Sequence, residues 1–415
     1  QDSVNINSIA YVAISILKNP KEGMIVLSGC GTSGRIAFMV SVSCNYSFTA
    51  KYLIAFIYRA LFTSQEAPED DPQCGIEMLN EVTTGKSNVL FIGITCGLSA
   101  PYVAGQLCYC IEHIDIFTPV LLGFNPSHLA RQFRFLVSGT ATKVLLETIL
   151  MSSFQSLTSE YSSETMHTAT YLTTDLFYCS LIAGGTISYI GWDSLGIVGM
   201  IDASECPPTY GASLSDIRGF IEGGYNLLNN TEGDLSHLVV GFVNLIIPSH
   251  RDKLDSVVLV DIPQTRLETY IGEDQYGTWN QLYHEIATKW ILNAVTTGAH
   301  ILKGKVYENI MVDVKVSNNK LFFRAVGIIQ KFTNLPKEDC QEYLLKSIYE
   351  TDDLSIDQKS LQVKDHIYKA TAMDKVVPTA LVAAILKCQI QEARKTLSKY
   401  QVIRTAISNI LQQKF

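Results

Sequence analysis

The chain has 415 residues and carries 32 Lys and Arg against 40 Asp and Glu, a formal net charge of −8. At about 150 residues per domain this length predicts two or three domains, each large enough to bury a core without disulfides or structural metals. The acidic balance, with no run of like charges, excludes a nucleic-acid footprint. Apolar residues make up 47%, yet no run reaches the roughly eighteen residues needed to cross a bilayer, so a soluble protein with no membrane partner is expected.

Charged residues are only 17% of the chain, below the roughly 25% of an ordinary soluble domain, which reads as charged loops missing from it. Ten cysteines show no Cys-x-x-Cys pair and no zinc spacing, so no metal and no cofactor is implied. Reduced thiols in an intracellular compartment are expected. The chain opens at Gln1 with no leader-like segment, which reads as a trimmed start.

Met24–Ser28 is an apolar run that predicts a strand. It is followed by Gly29-Cys30-Gly31-Thr32-Ser33-Gly34 and then by a helical pattern from Arg35 to Cys44. Strand Val89–Ile94 leads into Thr95-Cys96-Gly97-Leu98-Ser99 and a helix opening at Pro101, the position proline favours. Pro119–Phe124 is a third strand. Continuous apolar strands separated by helices predict a parallel, doubly wound sheet covered on both faces. A weaker copy follows, with strand Thr186–Ile190, a loop from Gly191 to Gly196, and a helix towards Ala203. Another strand is expected at Ser256–Val260.

Beyond about Tyr283 apolar spacings of three and four predict a helical domain, with helices at Glu285–Leu302, Lys320–Phe332, Glu338–Ile348 and Val377–Leu397. The polar, acidic stretch between Leu335 and Lys375 predicts loops or a mobile segment.

Gly29–Gly34 satisfies Gly-x-Gly-x-x-Gly, but a dinucleotide site also wants a carboxylate about twenty residues on, and Ala50–Ala55 holds none. The loop instead places Thr32 and Ser33 at a helix start, where free amides, the helix dipole and two hydroxyls suit one terminal phosphate. Thr95–Ser99 repeats the device on a neighbouring strand end, at the carboxyl edge where open sheets bind ligands.

Glu69, in an acidic run, reads either as part of a solvated loop or as a site residue. Glu205, just before Pro207 and Pro208, reads as the end of a helix broken by the prolines, or as a second site residue. Carboxylates near a sugar phosphate accept hydroxyl hydrogen bonds or act as acid and base, and composition does not choose. His300 reads as a hydrogen-bonded core histidine. Lys320 falls at a helix start, where the macrodipole disfavours a cation unless an anion lies nearby.

The segments Gly29–Arg35, Asp202–Thr209 and Lys289–Leu321 resemble the sugar isomerase (SIS) family, in the branch shared by bacterial N-acetylmuramic acid 6-phosphate etherases and vertebrate glucokinase regulatory proteins. Ile94–Gly105 and Leu122–Pro126 strengthen the likeness. It implies two tandem flavodoxin-like SIS domains, with doubly wound parallel sheets, capped by a C-terminal all-α lid. The domains are expected at residues 1–165, 166–285 and 286–415.

The resemblance further implies a fructose phosphate bound between the SIS domains and the lid. Thr32, Ser33, Thr95, Cys96, Gly97 and Ser99 fall on its phosphate and sugar loops. Glu69 and Glu205 fall on its acidic contacts, and Asn318 and Lys320 reach in from the lid. It implies a non-catalytic regulator in nucleus and cytoplasm that inhibits glucokinase, with fructose 6-phosphate favouring and fructose 1-phosphate opposing the complex. Thr269, Tyr270 and Ile271 match its partner patch. The alternative is an etherase-type lyase with Glu205 as acid and Glu69 as base. Against this family the joins at Ala55–Phe56 and 131–138 are short, so backbone breaks are expected there.

Overall fold

The structure is a computed structural model that describes residues 6–47, 53–56, 67–123, 142–145, 164–191, 193–221, 245–250, 253–254, 258–259 and 278–412. The chain divides into two compact units, Gln1–His167 with Ile262–Ala287, and Thr168–Asp261 with Thr288–Phe415.

In the first unit, strand β1 (Gly23–Gly29) is buried along its whole length, as its unbroken apolar run requires of a strand covered on both faces. It lies between β2 (Leu53–Phe56) and β3 (Asn88–Ile94) in a five-stranded sheet that β4 (Phe117–Gly123) and β5 (Thr142–Leu145) complete, in the order β2-β1-β3-β4-β5. Every pairing is parallel, and 2-1-3-4-5 is the flavodoxin order, with its switch point between the first and third strands. Helix α1 (Ile6–Lys18) seals one face through Ile16, packed with Ile25, Leu27 and Leu90. Helices α3 (Pro72–Thr83) and α4 (Pro101–Glu112) cover the other, where Leu79, Val103 and Leu107 meet Val26, Val89 and Phe91. Helix α2 (Thr32–Ser47) follows β1. Strand β2 lies opposite Ile25–Ser28; residues 131–138 lie outside the described residues.

The second unit repeats the opening pattern. Helix α5 (Glu164–Ile182), which begins in the first unit, leads to strand β6 (Thr186–Gly191), helix α6 (Asp193–Tyr210) and strand β7 (Ile217–Ile221). Strands β6 and β7 pair in parallel. Strand β8 (Leu245–His250) runs antiparallel to β6 and pairs antiparallel with the short β9 (Lys253–Leu254) and β10 (Val258–Leu259). The sheet is therefore mixed where an all-parallel one was expected: strand direction is not written in an apolar run. Helix α6 also overturns an expectation. It passes through Pro207 and Pro208 to Tyr210 although proline removes its own N–H and crowds the preceding turn, and the Gly211 amide still closes a turn onto the Pro207 carbonyl at 3.0 Å.

Helix α7 (Thr278–Leu302) crosses from the first unit into the second, and a small hairpin, β11 (Val306–Tyr307) with β12 (Ile310–Met311), follows it. The lid consists of α8 (Asn319–Thr333), α9 (Lys337–Tyr349), α10 (Ile356–Ser360), α11 (Val363–Thr371), α12 (Val376–Leu386), α13 (Ile390–Ser398) and α14 (Ile403–Gln412). Helix α12 is its hub, with ten of its eleven residues buried among α8, α9, α13 and α14. Two expectations fail here. Val377–Leu397 is two helices bent by 109°, because Lys387 adopts the left-handed conformation at φ 51° and ends α12. The polar stretch after Leu335 is largely helical, and Ser355 and Gln358 cap α10 reciprocally. Among the described residues no single helix is long and apolar enough to cross a membrane.

Candidate functional site

At the carboxyl edge of the first sheet, β1 and β3 are in register with Gly29 opposite Ile94, so the Gly29–Gly34 and Thr95–Ser99 loops leave the sheet side by side. Glycine is required in the first. A Cβ on Gly29 would stand 2.8 Å from the Gly34 amide nitrogen, and Gly31 sits at φ 56°, a region most residues avoid. Helix α2 begins immediately at Thr32, so Thr32 and Ser33, both half-buried, occupy its first turn. The amides of such a turn have no acceptor within the helix.

The second loop is held differently. Thr95 is buried, and its hydroxyl accepts the Ser99 amide at 3.4 Å while its carbonyl accepts the Leu98 amide at 3.1 Å. Leu98 takes φ 50°, an uncommon state for a residue with a branched side chain. Its side chain is buried against Gly123, and that packing holds the turn. Cys96 is exposed, and Gly97 and Ser99 are half-buried. Helix α4 starts at Pro101 with no side-chain cap from Ala100.

Glu69 is not in a solvated loop. It is 8% exposed, on a short 3-10 turn (Ala67–Asp70) packed on α4. Asp71 caps α3 through the Cys74 amide at 3.0 Å. Beneath both loops Ser28 donates to the Gln106 side-chain oxygen at 2.5 Å, and the Gln106 amide donates to the Gly75 carbonyl at 3.0 Å. All of these groups belong to the first unit: Thr32, Ser33, Glu69, Thr95, Cys96, Gly97 and Ser99.

In the second unit, Glu205 and Asp202 lie one turn apart on α6, and Lys289 of α7 donates to both, at 2.9 Å to Glu205 and 2.8 Å to Asp202. Tyr189 of β6 adds a bond to the other Asp202 oxygen at 3.0 Å. Burial acts to lower the Lys289 pKa, but the two carboxylates outweigh it and hold the ammonium above its ordinary value. Lys289 escaped the sequence reading. The signal was there, since two acids at i and i+3 on an otherwise apolar helix demand a buried cation.

Asn318 is wholly buried and caps α8, accepting the Leu321 amide at 2.8 Å. Lys320 follows in the first turn, half-buried. His300 is the core histidine expected. It is bonded through Nδ1 to the Thr296 carbonyl at 2.7 Å and stacked on Tyr210 at 4.3 Å. Burial pushes its pKa down to about 4. Thr269, Tyr270 and Ile271 lie outside the described residues, and among those described no group of side chains could hold a metal ion.

Two α/β units, the first with this loop chemistry, followed by an all-helical region, define a tandem SIS protein with a C-terminal lid. Three family models match it in order: the glucokinase regulatory protein N-terminal SIS domain over residues 8–111, its second SIS domain over 170–268, and its C-terminal lid domain over 308–407. The chain is 34% identical to the glucokinase regulatory protein of Xenopus laevis, an alignment covering 95% of this chain and 82% of that protein. It is 30% identical to that of Homo sapiens over the same shares. The chain belongs to the glucokinase regulatory protein family. An N-acetylmuramic acid 6-phosphate etherase from Bacillus licheniformis is 34% identical, but over 40% of this chain and 66% of the enzyme.

Proposed function

We propose that this chain is a non-catalytic regulator that binds and inhibits a glucokinase and senses a fructose phosphate. The observation that carries the sugar-phosphate part is the register of β1 with β3, which sets two hydroxyl-bearing helix starts at adjacent strand ends. In this reading Thr32, Ser33, Thr95, Cys96, Gly97 and Ser99 receive the phosphate and nearby sugar atoms through neutral donors. Glu69, Glu205, Asn318 and Lys320 are the further proposed contacts. Glucokinase is the proposed partner because the chain's family is named for its regulation, with Thr269, Tyr270 and Ile271 as the proposed contact patch.

The same carboxylates admit an etherase reading, but Glu205 is already salt-bridged to Lys289. A carboxylate so paired is better suited to accept hydroxyl hydrogen bonds than to donate a proton. Titrating the protein with each fructose phosphate while following glucokinase activity tests the proposal. Inhibition strengthened by fructose 6-phosphate and relieved by fructose 1-phosphate is expected, and no inhibition at micromolar protein would sink it. Lactate released from a muramic acid 6-phosphate in proportion to protein would restore the etherase reading. Replacing Tyr270 and Ile271 by Asp is expected to abolish inhibition and spare sugar-phosphate binding.

A further inference from the structure

The second unit carries a half-open cavity of about 450 Å3 that neither Glu205 nor Asn318 nor Lys320 lines. Its size falls within the range of small-molecule sites, roughly 300–1,000 Å3. Three segments wall it: the end of α6 with the residues that follow (Pro207 and Gly211–Leu214), Lys305 with Asp313–Val316, and the lid segment Met373–Val376.

Its charges divide into a closed pair and an open one. Lys305 donates to Asp313, and both side chains are buried, at 15% and 5% exposed. Burial raises the Asp313 pKa while the Lys305 ammonium, and more weakly that of Lys375, pulls against it; the direct bond is to Lys305. Among the described residues, the ion pair of Lys315 is with Asp374 at 3.6 Å, a carboxylate whose side chain is 82% exposed, and solvent-screened contacts of this kind are weak. Lys375 brings a third ammonium to the lining, which leaves one positive charge in excess. Leu214, Val314 and Met373 contribute apolar wall.

We propose that this cavity is a second ligand site, for a small organic anion that joins one acidic group to an apolar body. Lys315 and Lys375 face the acid, and the aliphatic wall takes the body. The walls also lead to the proposed sugar contacts. Glu205 precedes Pro207 by two residues on α6, the stretch Asp313–Val316 runs straight into Asn318 and Lys320, and the Lys315 amide ties these segments together by donating to the Pro208 carbonyl at 3.1 Å. Filling the cavity therefore bears on both, and the ligand acts as an effector of the sugar site. This last step rests on the function proposed above.

The test is calorimetric titration of the whole chain with phenyl phosphate. Wild-type protein is expected to show a binding event that persists in Lys320→Ala and is weakened at least about tenfold in Lys315→Glu/Lys375→Glu. It should also be lost when Ser213→Trp, a change at an exposed position, obstructs the cavity. Saturation with phenyl phosphate should shift fructose 1-phosphate affinity by about fivefold or more. Phenyl phosphate binding that vanishes in Lys320→Ala and survives both cavity variants would overturn the proposal, as would no binding by protein that still takes fructose 1-phosphate. Binding sensitive to the cavity variants in a protein that ignores fructose phosphates would instead overturn the sugar-site reading and leave the cavity site standing.

Discussion

The two strand–loop–helix units share a backbone device and differ in what they do with it. In the first, Gly29 and Gly34 touch through their backbones. In the second, a Cβ on Gly196 would stand 2.8 Å from the Gly191 carbonyl carbon, the same close approach reached from the helix side. The first helix opens with Thr32 and Ser33 and has no acid in its first turn. The second opens with Asp193, a residue type that itself carries the negative charge a helix start favours. Further along α6, Asp202 and Glu205 are answered from inside the protein by Lys289. The comparison teaches that the glycine geometry fixes only the cradle. Whether it receives an outside anion is decided by the residue types one turn into the helix.

The comparison breaks most severely at Lys289. Lys289→Met leaves the Asp202 carboxylate, 2% exposed, without its ammonium, and removing one partner of a buried pair costs about 3–5 kcal/mol. Urea unfolding should show that loss, with Lys289→Arg recovering much of it. An unchanged midpoint would mean that the triad does not hold α6 in place.

His300 gives the next effect. Its pKa is lowered from 6.5 to about 4, so the unfolded chain takes up a proton at a pH where the folded one does not. The stability that the neutral ring provides is fully present above pH 6.5 and is lost as pH falls from there to 4. At about 1.4 kcal/mol per pKa unit the full difference is roughly 3–4 kcal/mol. Thermal unfolding compared at pH 7 and pH 5 should show the drop in wild type and a flatter profile in His300→Gln.

The sharpest and smallest test converts one loop to the other. Thr32→Asp puts the second unit's acid into the first unit's helix start and should weaken fructose-phosphate binding about tenfold or more, worth ~1.4 kcal/mol, with little change in melting temperature. The reverse change, Asp193→Thr, should leave that affinity where it was.

The first unit was legible in three of its strands and in the helices after its two loops, while α1, α3, β2 and β5 went unread. Buried parallel strands read as unbroken apolar runs, and glycine with hydroxyls at a run's end marks a helix start. The second was legible only in part, because antiparallel β8 carries the same composition as a parallel strand. Pro207 and Pro208 signalled a stop that the last turn of a helix does not have to obey. In the lid, hydrophobic spacing carried through Leu386 to Leu397 and hid the left-handed Lys387 between two helices. The site followed the same division. Glu69 looked solvated because its neighbours are acidic, yet a turn packed on α4 buries it. Asn318, read as a ligand contact, carries a helix cap that depends only on the three residues after it, and Lys289 became visible only once Asp202 and Glu205 were seen to share it.

The buried relay from Ser28 through Gln106 to Gly75 has a mechanical consequence. It splints strand, helix and helix together beneath the two loops and the turn that bears Glu69, so these three elements behave as one tray. On the function proposed above, such a tray would bind what two phosphate esters have in common. Telling them apart falls to groups mounted elsewhere, and a variant that cut the splint at Gln106 would blur recognition of both esters alike.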